Sequence, residues 1–319
     1  MKYTFGPVPS RRLGQSLGID TIPIKTCNWN CIYCQLGRTR PLMNERRAYF
    51  PSKDILAEVS SVLATHSPGK IDWITFVGSG EPTLHSDIGW LIRQVKALTT
   101  IPVAIITNGS LLYLPELRKE LSVADAVMPS LDSGNASLYR KLNRPHSQAT
   151  FERLVDGLIA FRDEYQGKLW VEVMLVQGWN DSKSAVQEIA DILGYIRPDE
   201  IHLLLPTRPP AESSVYPTDE EGLLRARAIL GQIAPVIHPA NGTFYLSNSS
   251  SLAESIIGII IRHPMREDEL IHALERWSSS DVKAVLDTLL TSKQAQVITR
   301  YGVRFWTGKN TFYQKVDQP

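Results

Sequence analysis

The chain has 319 residues, of which 43% are hydrophobic, and its 34 Lys and Arg nearly balance its 33 Asp and Glu. This is the composition of a globular protein, long enough for one large domain and a small one. A net charge of +1 gives no overall attraction to nucleic acid. No apolar run approaches the roughly 20 residues of a transmembrane helix, and the first residues lack the apolar core of a signal peptide. We therefore expect a cytoplasmic protein that does not associate with a membrane.

Positive charge is concentrated near the start of the chain. Residues 1–50 contain eight Lys or Arg and only two acidic residues. This excess is compatible with a solvated face, and equally with a positive rim around a functional site.

Six short apolar runs predict the strands of a parallel sheet. They are continuous rather than alternating, as expected of strands that are buried on both faces. The predicted strands are Leu17–Ile24, Asp72–Val77, Pro102–Thr107, Asp125–Leu131, Lys168–Val176 and Glu200–Leu205. Amphipathic segments predict the helices Lys53–Ala64, Ile88–Leu98, Pro115–Leu121, Gln148–Glu164, Ser182–Tyr195 and Asp219–Ile233.

This succession of β–α units predicts the fold class and the place of the site. Six units favour an α/β fold in which residues 1–235 form a partial (β/α)6 barrel, since a closed barrel takes eight. Parallel α/β proteins build their sites at the carboxyl edge of the sheet. Polar or glycine-rich segments follow the strands there, at Gly78–Glu81, Asn108-Gly109, Asp132-Ser133, Gly178–Asp181 and Thr207-Arg208.

The pattern changes after residue 235. Pro, Asn and Gly indicate a linker over residues 236–249 with a short strand, Thr243–Leu246. Three helices and a two-stranded hairpin then predict a winged-helix-like domain over residues 250–319. Its predicted elements are Ser251–Ile261, Arg266–Trp277, Ser280–Ser292, Gln296–Arg300 and Val303–Thr307.

The charge of this C-terminal segment argues against binding of specific duplex DNA. Residues 250–319 carry nine Lys or Arg and eight Asp or Glu, so few counterions could be released on DNA. The third predicted helix, which would be the recognition helix, has Asp281 and Asp287 against Lys283. A protein or peptide partner, or a structural role, fits this helix better.

The three cysteines form one motif, C-x3-C-x2-C, at Cys27, Cys31 and Cys34. An odd, tightly spaced set without an export signal does not indicate a disulfide framework. Three thiolates can bind three irons of one cubane and leave the fourth iron open to a chelating ligand. Zinc is the alternative, but zinc prefers four ligands, and the nearest histidine, His66, is far along the chain.

This motif, followed by six β–α units, resembles the radical SAM superfamily over residues 1 to about 235. The resemblance implies that the three cysteines hold a [4Fe–4S] cluster and that S-adenosylmethionine (SAM) chelates the open iron. It implies that Tyr33 packs against the adenine. It also implies that the cluster cleaves SAM reductively to a 5′-deoxyadenosyl radical, which abstracts a substrate hydrogen. An electron donor such as flavodoxin or ferredoxin would be required.

Further positions match the same superfamily. Gly78-Ser79-Gly80-Glu81-Pro82 resembles its Gly-Gly-Glu motif, whose backbone approaches the SAM ammonium. Ser130 and Asp132 lie at the positions where members of the superfamily contact the ribose and the carboxylate of SAM. Asp132 could instead cap a turn. Asn180 lies in a segment that resembles part of the glycyl-radical activating enzymes, or else caps a helix. The remaining pocket candidates are Asn108 and His202, and His202 is also readable as a core residue.

Three functions remain open at this point. Gly6–Gly14, Pro23–Cys27 and Gln35–Thr39 resemble a branch that groups with the wyosine-tRNA synthases. The substrate could be a macromolecule, RNA or protein, or a small metabolite. The third function is a non-catalytic iron–sulfur regulator that acts through the winged helix. Because every candidate ligand precedes residue 210, we expect the C-terminal domain to be dispensable for cluster assembly and for SAM cleavage without substrate.

Overall fold

The computed structural model describes residues 2–10, 12–237, 251–274, 277–309, 311 and 313. Seven strands form one open sheet in chain order. They are β1 (Thr4–Ser10), β2 (Gly14–Ile19), β3 (Trp73–Phe76), β4 (Val103–Thr107), β5 (Ala126–Pro129), β6 (Lys168–Met174) and β7 (Glu200–Leu204). Strands β2 to β7 are parallel, which confirms the predicted α/β class.

Strand β1 was not predicted from the sequence; it pairs with β2 in an antiparallel hairpin. Gly6, Pro7, Pro9 and Gly14 lie in this hairpin, and such residues ordinarily interrupt strands. The hairpin tolerates them because its pairing shifts register between Phe5 and Val8 and because β1 lies at the edge of the sheet.

Seven helices pack against the sheet. They are α1 (Ser52–Thr65), α2 (Ile88–Leu98), α3 (Pro115–Leu121), α4 (Ala136–Leu142), α5 (Phe151–Glu164), α6 (Lys183–Ile196) and α7 (Glu220–Leu230). Helix α4 was not predicted, and it begins at an Asn135 side chain that accepts from the backbone N–H of Leu138. After α7, Ile201 and Leu203 of β7 donate backbone hydrogen bonds to Ile233 and Pro235, so this segment runs along the edge of β7.

Side chains at alternate positions of the strands point to opposite faces of the sheet and form two separate cores. Residues such as Ile105, Val127 and Val171 face the helices and join the main core. The side chains between them face the inside of the curved sheet. Leu13, Ala104, Ala126, Met128 and Trp170 fill only one end of that interior. The other end, at the carboxyl edge of the strands, remains a cavity.

The C-terminal residues form three helices and a three-stranded antiparallel sheet with its own core. Their order is α8 (Leu252–Ile260), β8 (Met265–Arg266), α9 (Glu267–Ala273), α10 (Ser279–Thr291), β9 (Ala295–Arg300) and β10 (Val303–Gly308). Strand β8 was not predicted. The predicted strand Thr243–Leu246 and most of the predicted linker lie outside the described residues. Within the described part of the chain, no helix is long and apolar enough to cross a membrane.

Candidate functional site

The three cysteines lie in the loop that follows β2 and line one cavity of about 400 Å³. The segment between α4 and α5 holds this loop from outside. The backbone N–H groups of Asn30 and Ile32 donate to the carbonyls of Asn143 and Leu142, both at 3.0 Å. Cys31 is buried, and Cys27 and Cys34 are half-buried. The loop therefore presents all three thiols to the open end of the barrel.

Each sulfur has a nitrogen donor close to it. The backbone N–H of Trp29 donates to Cys27 Sγ at 3.4 Å, and Asn143 Nδ2 lies 3.7 Å from Cys31 Sγ. Lys25 Nζ donates to Cys34 Sγ at 3.4 Å. Donors of this kind stabilise thiolates, and they tune the potential of a cluster that thiolates hold.

Two of the three thiols are hard to ionise on their own. Burial, followed by the charge of Glu81, raises the pKa of Cys27 to about 12. Burial and the neighbouring cysteines raise the pKa of Cys31 well above its ordinary value. A bound metal centre offsets such a cost because its positive charge replaces the thiol protons. The electrostatics therefore favour thiols that ionise together with metal binding.

The loop after β3 packs tightly on the segment that precedes the cysteines. A Cβ atom added at Gly80 would lie 2.0 Å from the carbonyl oxygen of Thr26, and one at Gly78 would lie 2.3 Å from the Asp20 carboxyl carbon. Ser79 Oγ donates to Asp20 Oδ2 at 2.6 Å. The two glycines are thus required for packing between two loops. The sequence analysis had assigned them only to access for the SAM ammonium.

Glu81 is fully engaged by the protein. Its carboxylate accepts from the backbone N–H groups of Thr83 (3.0 Å) and Asn108 (2.7 Å) and from Thr107 Oγ1 (2.6 Å). Burial raises its pKa, while these donors oppose that effect. Glu81 therefore joins the loops after β3 and β4 at the cavity wall.

Asp132 and Asn180 support the site from behind the cavity wall. Asp132 accepts from Tyr33 Oη, from Asn143 Nδ2 at 2.8 Å and from the backbone N–H of Met174 at 2.9 Å. Asn180 is fully buried, and its Nδ2 donates to the carbonyls of Asp132 and Met174, both at 2.8 Å. Neither side chain lines the cavity. Burial raises the pKa values of both Asp132 and Tyr33.

His202 packs within the protein. Its ring packs against Trp170 at 5.5 Å between centroids, and Nε2 contacts Glu200 Oε2 at 3.0 Å. The side chain does not line the cavity. The remaining predicted residues do meet around it: Cys27, Cys31, Cys34, Tyr33, Gly78, Ser79, Gly80, Glu81, Asn108 and Ser130.

The cavity also contains residues that sequence reasoning missed. Lys25 lines it, and so do Arg12 and Glu172, which form an ion pair between the turn of the N-terminal hairpin and β6. His263, after α8, is a further wall residue that was not expected, whereas Arg208 belongs to the polar segment that was expected after the last strand of the sheet. The position of Lys25 two residues before Cys27 was the one available signal. His263 lies beyond residue 210, so the wall extends past the region in which all site residues were expected.

Comparison with known proteins identifies the class. Residues 21–191, more than half of the chain, match the radical SAM superfamily. A UPF0026 protein of Methanocaldococcus jannaschii is 35% identical over 285 residues, and the match covers 88% of each chain. The chain therefore belongs to the radical SAM superfamily, and it is an enzyme of that superfamily.

Other similarities are partial. GTPase Obg of Brachyspira hyodysenteriae is 40% identical over 295 residues, which cover 90% of this chain and 42% of that protein. The chain thus spans less than half of that relative. A radical SAM methyltransferase from Sphaerobacter thermophilus has a similar fold, with 18% identity, a TM-score of 0.53, and coverage of 69% of this chain and 65% of that one.

The superfamily implies a [4Fe–4S] cluster and SAM, and the residues present fit both. Three thiols face one cavity, each with a nitrogen donor nearby. Among the described residues, no three His, Cys, Asp or Glu side chains converge on a point suitable for one metal ion. Mononuclear zinc would draw all its ligands to about 2.0–2.3 Å from one centre. A cubane instead binds each thiolate at a different iron.

Lys25→Met is expected to lower the reduction potential of the cluster. The change removes a positive charge and a donor to Cys34 Sγ, and both favour the reduced cluster. A redox titration followed by the electron paramagnetic resonance (EPR) signal of the reduced cluster measures the effect. Lys25→Arg is the matched control. It keeps the positive charge, so the reduction potential of its cluster should stay close to that of wild type. Equal potentials in wild type and Lys25→Met would contradict this prediction.

Glu212 joins the cysteine loop to the C-terminal hairpin. Its carboxylate accepts from Arg38 Nε at 3.0 Å and pairs with Arg144, and its carbonyl accepts from Arg300 Nη2 at 3.0 Å. Its backbone N–H donates to the carbonyl of Ile32 at 3.0 Å. Burial alone would raise the pKa of Glu212, but the two arginines outweigh it and hold this pKa below its ordinary value.

Glu212→Gln is expected to destabilise the protein at neutral pH by about 1–2 kcal/mol, the range for hydrogen bonds to partly exposed charges. The pKa of Glu212 is lower in the folded than in the unfolded chain. Its contribution is therefore complete above the unfolded pKa of about 4.3 and is lost as the pH falls through the folded pKa. Melting temperatures of wild type and variant should differ at neutral pH and converge in acid. A gap that persists unchanged in acid would refute the assignment.

Proposed function

We propose that this radical SAM enzyme acts in the cytoplasm on a macromolecular substrate, an RNA or a protein. The size of the cavity carries the proposal. About 400 Å³ lies in the lower part of the range of about 300–1,000 Å³ found for single small-ligand pockets. SAM alone would occupy such a volume. A substrate would then enter only by its reacting group, while the rest of it stays outside.

In this proposal the chain holds SAM through the walls of the cavity. The loop Gly78–Glu81 presents its backbone to the methionine part, and Tyr33, Asn108 and Ser130 contact the nucleoside part. Cys27, Cys31 and Cys34 would hold the cluster, which would pass one electron from the external donor to SAM for its reductive cleavage to methionine and the 5′-deoxyadenosyl radical that abstracts a substrate hydrogen. Asp132 and Asn180 position Tyr33 and the end of β6 without contacting SAM.

The apolar part of the wall serves to keep water away from the reacting atoms. Leu36, Met174, Leu204 and Leu205 line the cavity together with the thiols. Exclusion of water strengthens electrostatic interactions inside a site and suppresses side reactions of reactive intermediates. The ion pair of Arg12 and Glu172 places polar groups in the same cavity.

The C-terminal residues 250–319 form, in our proposal, a winged-helix-like domain that recognises the substrate or a protein partner. The order helix–strand–helix–helix–strand–strand supports this assignment. The near-balanced charge argues against duplex DNA. The motifs around Gly6–Gly14 and Pro23–Cys27 support a relation to the wyosine-tRNA synthase branch. A flavodoxin or ferredoxin would dock on the basic N-terminal region as electron donor.

A small metabolite is the second candidate substrate. GTP 3′,8-cyclase of Lactiplantibacillus plantarum is 28% identical over 181 residues, which cover 55% of this chain and 49% of that protein. That name specifies a nucleotide substrate for the relative. The hypothesis of a non-catalytic regulator is not retained, because the chain is an enzyme of the radical SAM superfamily.

The test uses the rate at which reduced, cluster-loaded protein forms 5′-deoxyadenosine from SAM. Extracts of cells that lack the enzyme are separated anaerobically into small-molecule, RNA and protein fractions, and each is added to the assay. We expect stimulation by the RNA or the protein fraction, abolished by ribonuclease or protease respectively. Stimulation by the small-molecule fraction alone would overturn the macromolecular substrate. Absence of 5′-deoxyadenosine under every condition would overturn the use of SAM.

A further inference from the structure

One arginine of the C-terminal elements reaches the loop assigned to SAM. Arg262, two residues after α8, donates from Nε to Asp20 Oδ2 at 3.0 Å. The pair is enclosed, with side chains 11% and 4% exposed. Asp20 in turn accepts from Ser79 Oγ at 2.6 Å and from the Ser79 backbone N–H at 3.2 Å. The carboxylate of Asp20 thus links Arg262 to Ser79.

The surroundings of Ser79 make this contact important. Ser79 lines the cavity with the thiols, and it also lines a second cavity of about 430 Å³ between the barrel and α8. The loop is thus packed against the segment before Cys27 on one side and borders this second cavity on the other. Dispersion contacts are lost where a cavity replaces packed atoms. Hydrogen bonds to Asp20 fix Ser79 from this side, and Arg262 compensates the charge of Asp20.

The same arginine contacts the residue that follows the third cysteine. Gln35 Nε2 donates to the carbonyl of Arg262 at 3.0 Å, and Gln35 Oε1 accepts from Arg208 Nη1 at 3.0 Å. Tyr313 Oη donates to the carbonyl of Gln35 at 2.6 Å. Arg262 also lies over the ring of Phe5, 5.0 Å from its centroid. Residue 262 therefore contacts both the segment at Cys34 and the support of Ser79.

We propose that Arg262 is a positioning residue for SAM, whose side chain sets the Ser79 loop through Asp20, while the backbone carbonyl of the same residue accepts the hydrogen bond from Gln35. This inference rests on the proposed assignment of the Gly78–Glu81 loop to SAM. The C-terminal elements are then part of the SAM site, and a substrate or partner that shifts α8 changes SAM affinity through this arginine. This role conflicts with the expectation that the C-terminal domain is dispensable.

The experiment compares Arg262→Gln, which removes the charge, with Arg262→Lys, which keeps it. Arg304→Gln, at an exposed position on β10, is the matched control for loss of one arginine. Iron content and melting temperature establish that each cluster-loaded protein is intact. The readouts are the dissociation constant for SAM, from equilibrium filtration, and the change that SAM induces in the EPR spectrum of the reduced cluster.

Arg262→Gln should raise the dissociation constant about ten- to a hundredfold, as loss of a residue that orients a binding group does. Arg262→Lys should show a smaller loss, and Arg304→Gln none. The double variant Arg262→Gln with Asp20→Asn should regain part of the affinity, because no uncompensated carboxylate remains.

Affinity within twofold of wild type and an unchanged EPR response in Arg262→Gln would overturn the inference. So would equal losses in Arg262→Gln and Arg304→Gln. If Arg262→Gln has a lower melting temperature than wild type, the test uses Arg262→Lys instead. A positioning role then requires that Arg262→Lys, at normal iron content, shows a smaller SAM-induced change in the EPR spectrum than wild type. A wild-type protein that binds the cluster but not SAM would overturn the proposed function itself, and the inference with it.

Discussion

Cys31→Ala is expected to abolish cluster assembly. Wild-type protein reconstituted without oxygen should hold about four irons and four sulfides per chain, as a single cubane requires. The variant should hold close to none, because the sequence contains only three cysteines and no fourth thiol can substitute. Iron and sulfide analysis and the visible absorption of the cluster measure the loss.

The control for this prediction is the metal-free protein. Cys31 is buried, so alanine there leaves only a small void, and the metal-free variant should melt close to metal-free wild type. Cys27→Ala and Cys34→Ala should reproduce the loss of iron. About eight irons per wild-type chain, or zinc retained through dialysis against a chelator, would contradict the single cluster. Retention of a full cluster by Cys31→Ala would contradict the ligand set.

Much of the fold could be predicted from the sequence because the strands that form the barrel are continuous apolar runs. Five of the six predicted strands start within one residue of the observed ones, and the helices Ile88–Leu98 and Pro115–Leu121 match in full. The edge strand β1 was not readable. Its glycines and prolines carry a turn signal, and only pairing with β2 makes this segment extended.

The candidate site was predictable where chemistry is local in sequence. The cysteine spacing and the glycines after β3 are short motifs, and both line the cavity. Asp132 and Asn180 follow strands as expected, yet their polar atoms turn to the protein rather than to the cavity. A position at the end of a strand places a residue near the site. Whether its side chain forms hydrogen bonds in the cavity or within the protein depends on the hydrogen-bond partners that surround it.

Contacts between segments that are distant in the chain could not be predicted from the sequence. Arg262 and Asp20 are 242 positions apart, and no periodicity or motif relates them. The ion pair of Arg12 with Glu172 depends on the hairpin that was missed. Such pairs are fixed by tertiary packing, so a motif search returns the cysteine loop without the residues that hold it in place.

Gly80→Ala is expected to damage the site more than its single methyl group suggests. The added Cβ would lie 2.0 Å from the Thr26 carbonyl oxygen and 2.9 Å from Ile22 Cδ1. The same carbonyl accepts the backbone N–H of Glu81 at 2.9 Å, and Lys25 donates its N–H to the carbonyl of Ser79 at 2.6 Å. Separating these loops would break both bonds and move the segment that leads into Cys27.

We expect a destabilisation of about 1–3 kcal/mol, typical of overpacking in a buried contact, and a loss of SAM affinity of at least about tenfold. Thermal unfolding and equilibrium filtration with SAM measure the two effects. Gly194→Ala in α6 is the matched control, because its Cβ would meet no atom within 4 Å. In that exposed helical position alanine should stabilise by about 0.5–1 kcal/mol. If Gly80→Ala binds SAM as wild type does, the loop after β3 does not form the SAM site, whatever the variant does to stability.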